Sequence, residues 1–357
     1  VMQILGVIAL VYSLVLLLGL RFFFLRNADE NVFRHRTIVF GAGSRAGAIA
    51  DLRRKADRRG FKVVGMIPAP GDSQVIENGG ELFSGESVER LVKELNADEV
   101  VIAMDDRRGN LPVKELLNCT LSGVQVIDVI EFLERESGKI RIDLVSPGWL
   151  IFSSGFRISE PRRIAKRFVD LVVGSMIALV SLPVMALIVV AIKIEDGFSA
   201  PVLYRQVRVG YRGLNFSVLK FRSMREDAEA DGEAVWAKED DPRVTRVGRY
   251  LRKLRLDELP QVFNVIRGEM SIVGLRPERP KFVRGLTESI PYYAERHAVL
   301  PGVTGWAQIH YPYGSTEHDA AEKLQYDLYY VKNHNVFLDL IIILQTVEVV
   351  LWGKGSR

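Results

Sequence analysis

Two adjacent carboxylates, Asp257 and Glu258, lie in a stretch of the sequence that is otherwise rich in basic residues. Pro260 is favoured in the first turn of a helix, so the pattern predicts a helix that starts at about Asp257 and buries Val262 and Ile266. The start of a helix offers free N–H groups and a positive dipole to phosphate. A carboxylate there can hold Mg2+ or attack phosphorus, although Asp is also a common helix cap. The basic residues around the pair are Arg249, Arg252, Lys253, Arg255, Arg267, Arg276 and Arg279.

Motifs on both sides of this pair resemble those of the bacterial sugar transferases, which load a sugar 1-phosphate onto a polyprenyl phosphate. The motifs are PVLYRQVRVGYRGLNFSVLKFRSM (residues 201–224), DPRVTRVGRYLRKLRLDELPQ (241–261), GEMSIVGLRPERP (268–280) and RHAVLPGVTGWAQI (296–309). The resemblance runs from about residue 161 to the C-terminus. Leu275 stands where the family usually has proline, a difference that concerns the local loop and leaves the charged residues in place.

The resemblance implies that a UDP-sugar gives its sugar 1-phosphate to undecaprenyl phosphate and releases UMP, as the first step of exopolysaccharide synthesis. It also implies that Asp257 attacks the sugar-bearing phosphorus and that Glu258, with Asp257, holds Mg2+. The residues alone leave open a direct attack by the lipid phosphate, in which both carboxylates only bind metal. UDP-glucose and UDP-galactose are the expected donors. The sequence does not determine the oligomeric state, and a homodimer is one option.

Such a reaction brings several negative charges together, so basic side chains must neutralise them. Arginine makes bidentate contacts with phosphate, whereas lysine acts as a point charge. On this chemistry we expect the substrate phosphates to be bound by Lys220, Arg222, Arg252 and Arg276.

Two apolar stretches are expected to place the site at a membrane. Residues 1–26 are long enough for a transmembrane helix, and the basic residues that follow put its C-terminal end in the cytoplasm. The abrupt apolar start suggests that further membrane helices precede it. Residues 166–195 form a second apolar stretch, interrupted by Pro183 and basic on both flanks. Basic flanks favour a re-entrant helix, which the family also has, over a straight transmembrane helix kinked at Pro183.

The remaining elements complete a mixed architecture with the catalytic domain on the cytoplasmic face of the bacterial inner membrane. A linker over residues 146–165 precedes the re-entrant helix, and a mixed α+β catalytic domain follows at 196–357. Residues 336–352 are apolar but contain Asp339 and Glu348, which predicts an interfacial helix or one packed on the catalytic domain.

Residues 35–145 are predicted to form a Rossmann-like parallel α/β domain. Its first strand leads into GAGSRAG, in which Gly41, Gly43 and Ala46 match G-x-G-x-x-A. The second strand ends at Pro68, where a dinucleotide binder has an acidic residue, so a regulatory or structural role is favoured over NAD binding. Predicted strands alternate with helices, at residues 37–40, 62–67, 99–104 and 123–129.

Composition excludes several classes of protein. The net charge of the 357-residue chain is only +4, which does not indicate a nucleic-acid binder. Cys119 is the single cysteine, so the chain has no internal disulfide, and no Cys/His spacing predicts zinc. An NAD-dependent sugar-nucleotide epimerase or dehydratase is the alternative function, but it needs Y-x-x-x-K, and Tyr329 and Lys332 have the wrong spacing. A non-catalytic scaffold conflicts with the intact carboxylate pair.

Overall fold

The computed structural model describes residues 34–52, 60–72, 81–106, 111–153, 155–156, 159–225, 241, 243–312, 314 and 316–352. The transmembrane helix predicted for residues 1–26 lies outside these residues. The chain divides into two compact units, Val1–Ser137 and Gly138–Arg357. The sequence placed the end of the first domain at about residue 145, several residues beyond this division.

The first unit contains a four-stranded parallel sheet in the order β2-β1-β3-β4. The strands are β1 (His35–Phe40), β2 (Phe61–Ile67), β3 (Glu99–Ile102) and β4 (Gln125–Asp128), and all four predicted strands are confirmed with small shifts at their ends. Parallel neighbours need crossover connections, which helices supply here. The described helices are α1 (Ser44–Ala50), α2 (Val88–Glu94), α3 (Val113–Leu121) and α4 (Val129–Ser137).

The second unit begins with two helices, α5 (Pro147–Phe152) and α6 (Glu160–Asp196). Both α5 and the start of α6 fall within the residues predicted as a linker, 146–165. Pro161 explains the earlier start of α6, since proline is favoured in the first turn of a helix.

Helix α6 has 37 residues and includes Pro183 in its interior. Among the described residues, it is the helix that is long and apolar enough to cross a membrane. Ser181 Oγ donates to the carbonyl of Ile177 at 2.7 Å, next to the position where proline removes a backbone donor. One face of α6 is buried in the second unit, and its buried apolar residues pack against Phe221, Leu251 and Val262. These buried residues are Met185, Ile188 and Ile192.

The rest of the second unit surrounds a short hairpin and a pair of short parallel strands. The hairpin is β5 (Leu203–Val209) with β6 (Asn215–Phe221), and the parallel pair is β7 (Ser271–Val273) with β8 (Gly302–Thr304). The described helices are α7 (Arg246–Lys253), α8 (Gln261–Arg267), α9 (Pro280–Ser289), α10 (Trp306–His310), α11 (Glu317–Asn333) and α12 (Val336–Trp352).

Helix α12 packs on the second unit, which is one of the two alternatives predicted from the sequence. Leu338 and Ile342 are part of the apolar core, and Asp339 is buried. The Asp339 carboxylate accepts hydrogen bonds from Lys166 Nζ at 2.8 Å and from Tyr330 Oη at 2.7 Å. A buried carboxylate needs such partners, and they tie the last helix to the start of α6.

Candidate active site

Asp257 and Glu258 lie in a 3-10 turn, Leu256–Glu258, and not in the first turn of an α-helix. Helix α8 begins only at Gln261, which corrects the predicted start at Asp257. The cause is Pro260, which has no N–H to donate to the carbonyl of Leu256. Leu259 N donates to that carbonyl instead, at 3.3 Å, as a 3-10 turn requires.

Arg255 makes the sharp reversal between α7 and the carboxylate turn. Its φ is 55° and its ψ 22°, the left-handed conformation that residues other than glycine rarely adopt. Backbone strain of this kind is concentrated at functional sites, where the surrounding fold maintains it. The sequence contains no signal for it, because arginine is not a residue typical of this conformation.

Two polar side chains fix α8, and with it the carboxylate turn, against its neighbours. Asn264 is fully buried; its Oδ1 accepts from Leu219 N at 3.0 Å and its Nδ2 donates to Ser217 O at 2.8 Å. Arg167 of α6 donates to the carbonyl of Val265 at 2.6 Å, at the C-terminal end of α8, where a cation also complements the helix dipole. Sequence reasoning missed both residues, although an asparagine on an otherwise apolar helix face was a visible signal for Asn264.

Glu258 is engaged by two of the predicted phosphate-binding cations. Its Oε1 accepts from Lys220 Nζ at 2.9 Å and from Arg276 Nη2 at 3.3 Å. Burial would raise the pKa of Glu258, but Arg276 and Lys220 together outweigh it and lower that pKa to about 2. Glu258 is therefore ionised throughout the physiological pH range.

Asp257 lies in a different environment although it is the adjacent residue. Its side chain is buried, and it forms no salt bridge within the described part of the chain. Desolvation raises the pKa of Asp257, while the nearby charges of Lys220 and Arg252 oppose that shift. A buried carboxylate with cations near it but not paired to it has the properties of an available nucleophile.

An open pocket of about 990 Å³ collects the predicted site residues. Arg222 lines this pocket and also contacts α6, where its Nη2 lies 2.5 Å from Asp196 Oδ2 at the end of the helix. This contact connects the pocket with the apolar helix and does not by itself make Arg222 a phosphate ligand. The predicted residues that line the pocket are Asp257, Glu258, Lys220, Arg222, Arg252 and Arg276.

Arg296 is a further pocket residue, which sequence reasoning did not single out. It is buried beside Asp327, with 2.7 Å between Arg296 Nη2 and Asp327 Oδ2. The same nitrogen donates to the backbone carbonyl of Arg276 at 3.1 Å. The buried pair thus holds the backbone of Arg276, whose side chain reaches Glu258. There was little reason in the sequence to select Arg296 as a site residue, because it is one arginine among many.

The two carboxylates are the residues that could hold a metal ion. Among the described residues, no group of three or more His, Cys, Asp or Glu side chains forms a metal cage. Mg2+ does not require one, since it is commonly held by one or two carboxylates together with substrate phosphates and water. Asp257 and Glu258 fit that donor set. Both cations that contact Glu258 use the same oxygen, its Oε1.

The glycine-rich turn of the first unit is filled by the protein's own carboxylates. Asp105 accepts from Ser44 N and Arg45 N, each at 3.0 Å, at the start of α1. Asp72 accepts from Ala42 N at 2.7 Å. A Cβ on Gly43 would lie 2.2 Å from Asp105 Oδ2, so this glycine is needed for the approach of a carboxylate. In a dinucleotide binder the same N–H groups would face a phosphate.

A family model described as bacterial sugar transferase matches residues 161–353. The chain is 38% identical over 243 residues to a UDP-N-acetylgalactosamine-undecaprenyl-phosphate N-acetylgalactosaminephosphotransferase of Aeromonas hydrophila, a match that covers 68% of this chain and 56% of that protein. It is 34% identical over 331 residues to an undecaprenyl-phosphate glucose phosphotransferase of Komagataeibacter xylinus, covering 90% of this chain and 60% of that one. A UDP-glucose:undecaprenyl-phosphate glucose-1-phosphate transferase of Escherichia coli K12 is 35% identical over 333 residues, covering 90% and 68%.

The chain thus spans 56% to 60% of the length of the first two of these relatives. The family match extends over more than half of the 357 residues and includes every residue that lines the pocket. It also includes α6 from Pro161 onward, so the apolar helix and the pocket fall within one match to the family model. By these matches, the chain belongs to the bacterial sugar transferase family.

Proposed function

We propose that this protein transfers a sugar 1-phosphate from a UDP-sugar to undecaprenyl phosphate, as the initiating step of exopolysaccharide synthesis. The relatives named above carry such activities in their names. The observation that carries the proposal here is the pocket that groups Asp257 and Glu258 with Lys220, Arg252 and Arg276. Glu258 is ion-paired there, whereas Asp257 forms no salt bridge among the described residues. Cationic groups around a carboxylate nucleophile are what a diphosphate substrate requires.

The chemistry assigned to Asp257 is a double displacement. A carboxylate oxygen of Asp257 attacks the sugar-bearing phosphorus, the bond from that phosphorus to UMP breaks, and an aspartyl phosphosugar forms. An oxygen of the lipid phosphate then attacks the same phosphorus, the bond to Asp257 breaks, and the carboxylate is regenerated. Lys220 and Arg276 remain beside Glu258 and neutralise charge on the phosphate oxygens.

Asp257 and Glu258 are also the residues that would hold Mg2+, which when bound would neutralise oxygens of the diphosphate. Glu258 is already ionised, because its pKa is lowered to about 2, so it needs no deprotonation before it can bind a metal ion. The contact between Lys220 and Glu258 fixes the position of that carboxylate.

The proposed orientation places the catalytic unit on the cytoplasmic side, with α6 re-entrant. Both ends of α6 are held by the same compact unit: Lys166 contacts Asp339 at one end, and Asp196 contacts Arg222 at the other. A helix whose two ends are attached to one globular unit supports a return to the same face of the bilayer. Basic residues flank both ends, in agreement with the distribution found in cytoplasmic segments.

The first unit is proposed to be a Rossmann-like domain without a dinucleotide. Asp105 and Asp72 accept from the N–H groups that a phosphate would need. This arrangement favours a structural role for the unit and weakens the alternative of an NAD-dependent epimerase or dehydratase.

The donor sugar is proposed to be glucose, on the basis of two relatives named for glucose transfer. The test is to incubate membranes that contain the protein with undecaprenyl phosphate and UDP-glucose, UDP-galactose or UDP-N-acetylgalactosamine. We expect lipid-linked sugar diphosphate and UMP in equal amounts. Release of UDP, or no lipid product with any donor, would contradict the proposed reaction.

A further inference from the structure

Two groups of different charge can be distinguished among the residues that line the pocket. One group, the cationic wall, consists of Lys220, Arg222, Arg225, Arg243, Arg252 and Arg255. Of these, Lys220, Arg252 and Arg255 lie near enough to the two carboxylates to act on their charge. The second group, the mixed wall, combines acidic, basic and neutral polar side chains. It consists of Glu278, Arg296, Gln308, Lys323 and Asp327. Phosphate oxygens only accept hydrogen bonds and carry negative charge, so the cationic wall suits a diphosphate and the mixed wall does not.

The mixed wall contains two buried N–H groups that have no hydrogen-bond partner among the described residues. They are Gln308 Nε2 and Arg296 Nε. Arg296 is only 5% exposed, so the N–H group is withheld from bulk water. A buried donor without an acceptor costs free energy, which a ligand oxygen would recover.

Glu278 adds a carboxylate acceptor at a fixed position, where its Oε2 accepts a long hydrogen bond from Arg208 Nη1 at 3.4 Å. Its backbone carbonyl accepts from Val209 N at 2.9 Å, and Arg208 donates to the carbonyl of Pro277 at 3.0 Å. Only Pro277 separates Glu278 from Arg276, and two residues of extended chain span at most about 7 Å. Arg276 in turn contacts Glu258 at 3.3 Å, so the backbone of Glu278 lies two residues from a side chain that reaches the carboxylate turn.

We propose that the mixed wall is the subsite for the sugar ring of the UDP-sugar, and this rests on the proposed transferase function. Sugar hydroxyls both donate and accept hydrogen bonds, so Glu278 can accept from them while Gln308 Nε2 donates to them. The ring is bonded to the phosphorus that Asp257 attacks, and it must therefore lie beside Arg276 and Glu258. Glu278 and Gln308 are accordingly the residues that select the sugar.

The test compares Glu278→Gln and Gln308→Ala with wild type and with Glu288→Gln, an exposed carboxylate of α9 outside the pocket. We would measure kcat/KM for UDP-glucose, UDP-galactose and UDP-N-acetylgalactosamine, and the inhibition constant of UMP. Loss of a hydrogen bond to the sugar should lower kcat/KM for the preferred donor by about tenfold or more and change the ratio between donors. The inhibition constant of UMP should stay within about twofold, because UMP has no sugar at this position and its binding also reports an intact pocket.

Each other outcome decides against the subsite. A parallel loss of UMP affinity would assign the mixed wall to the nucleotide. An equal fall in kcat/KM for all three donors, with unchanged ratios, would show that these side chains do not read the sugar. If wild type made no lipid product from any UDP-sugar, the transferase reaction itself would fail, and the subsite with it. Glu288→Gln should match wild type in every measurement.

Discussion

Lys220 Nζ lies 2.9 Å from Glu258 Oε1, while the adjacent Asp257 forms no salt bridge among the described residues. The two carboxylates of one turn therefore differ in protonation behaviour. Arg276 and Lys220 lower the pKa of Glu258 to about 2, whereas desolvation raises the pKa of Asp257. Neighbouring carboxylates whose environments separate their pKa values commonly have separate tasks. We infer that Glu258 organises the cations and that Asp257 reacts.

The first prediction concerns covalent capture at Asp257. Wild-type protein given a UDP-sugar without lipid should release UMP in an amount close to that of the enzyme and gain the mass of one phosphosugar on the Asp257 peptide. Asp257→Asn keeps the size of the side chain but removes its charge, so turnover should fall by about a thousandfold or more. Intact-mass and peptide mass spectrometry check this. UMP release that begins only when lipid is added would indicate direct attack by the lipid phosphate.

The second prediction is that Asp257→Asn stabilises the protein at pH 8. Because the folded pKa of Asp257 is raised above its unfolded value, stability is lost as pH rises through the folded pKa and the buried group ionises. Asparagine removes that cost, and each kcal/mol recovered should raise Tm by roughly 2–4 °C. Thermal melts over a series of pH values from 8 downward check the sign, since the gain should shrink as pH falls towards the unfolded pKa of an aspartate, about 3.9. An equal or lower Tm at pH 8 would refute it.

The third prediction concerns Arg296, which we regard as positioning Arg276. Arg296 also donates to Tyr293 Oη at 2.8 Å. Arg296→Lys keeps the charge beside Asp327 but cannot contact Asp327, Tyr293 and the Arg276 carbonyl together, so kcat should fall about tenfold with little loss of Tm. Arg296→Ala leaves Asp327 buried and unpaired, and should destabilise the unit by about 3–5 kcal/mol. Steady-state kinetics and thermal melts separate the two effects. Full activity of Arg296→Lys would exclude a positioning role.

The fourth prediction concerns the side of the membrane. In a Cys119→Ser background, single cysteines at exposed positions near Arg163 and Arg212, on either side of the apolar part of α6, should both be shielded from a membrane-impermeant thiol reagent outside the cell. Pro183→Ala should lower activity, because a straighter helix favours a full crossing. Lysed cells provide the control, in which both cysteines must react. Labelling of only the Arg212 position in intact cells would establish a full crossing.

The fifth prediction concerns the filled glycine turn. Purified protein should contain no NAD, and added NAD should leave its Tm unchanged. Asp105→Ala removes the carboxylate that accepts from the start of α1, so the first unit should lose about 0.5–2 kcal/mol of stability while transferase activity persists. Gly43→Ala should also destabilise this unit, since its Cβ would meet Asp105. Stoichiometric NAD in the preparation would revive the epimerase alternative.

Local sequence patterns predicted the elements of this fold, because strand runs, glycine turns and apolar stretches act over short distances. Helix α12 was placed over its observed range, Val336–Trp352. The candidate site residues were chosen by charge and type, and the structure brings them to one pocket. Their pairing was not predictable, since Lys220 and Glu258 are brought together by the tertiary fold. The left-handed Arg255 and the 3-10 turn were missed because they depend on how α7 and α8 are held.

The buried face of α6 has a consequence for how the enzyme is made. Met185, Ile188 and Ile192 form part of the apolar core that also contains Leu251 and Val262, so the helix cannot be removed to give a water-soluble enzyme without opening that core. During synthesis α6 leaves the ribosome before the hairpin and the carboxylate turn, and N-terminal segments begin to fold first. With α6 in the proposed membrane location, its insertion and the completion of the catalytic pocket are therefore stages of one assembly process.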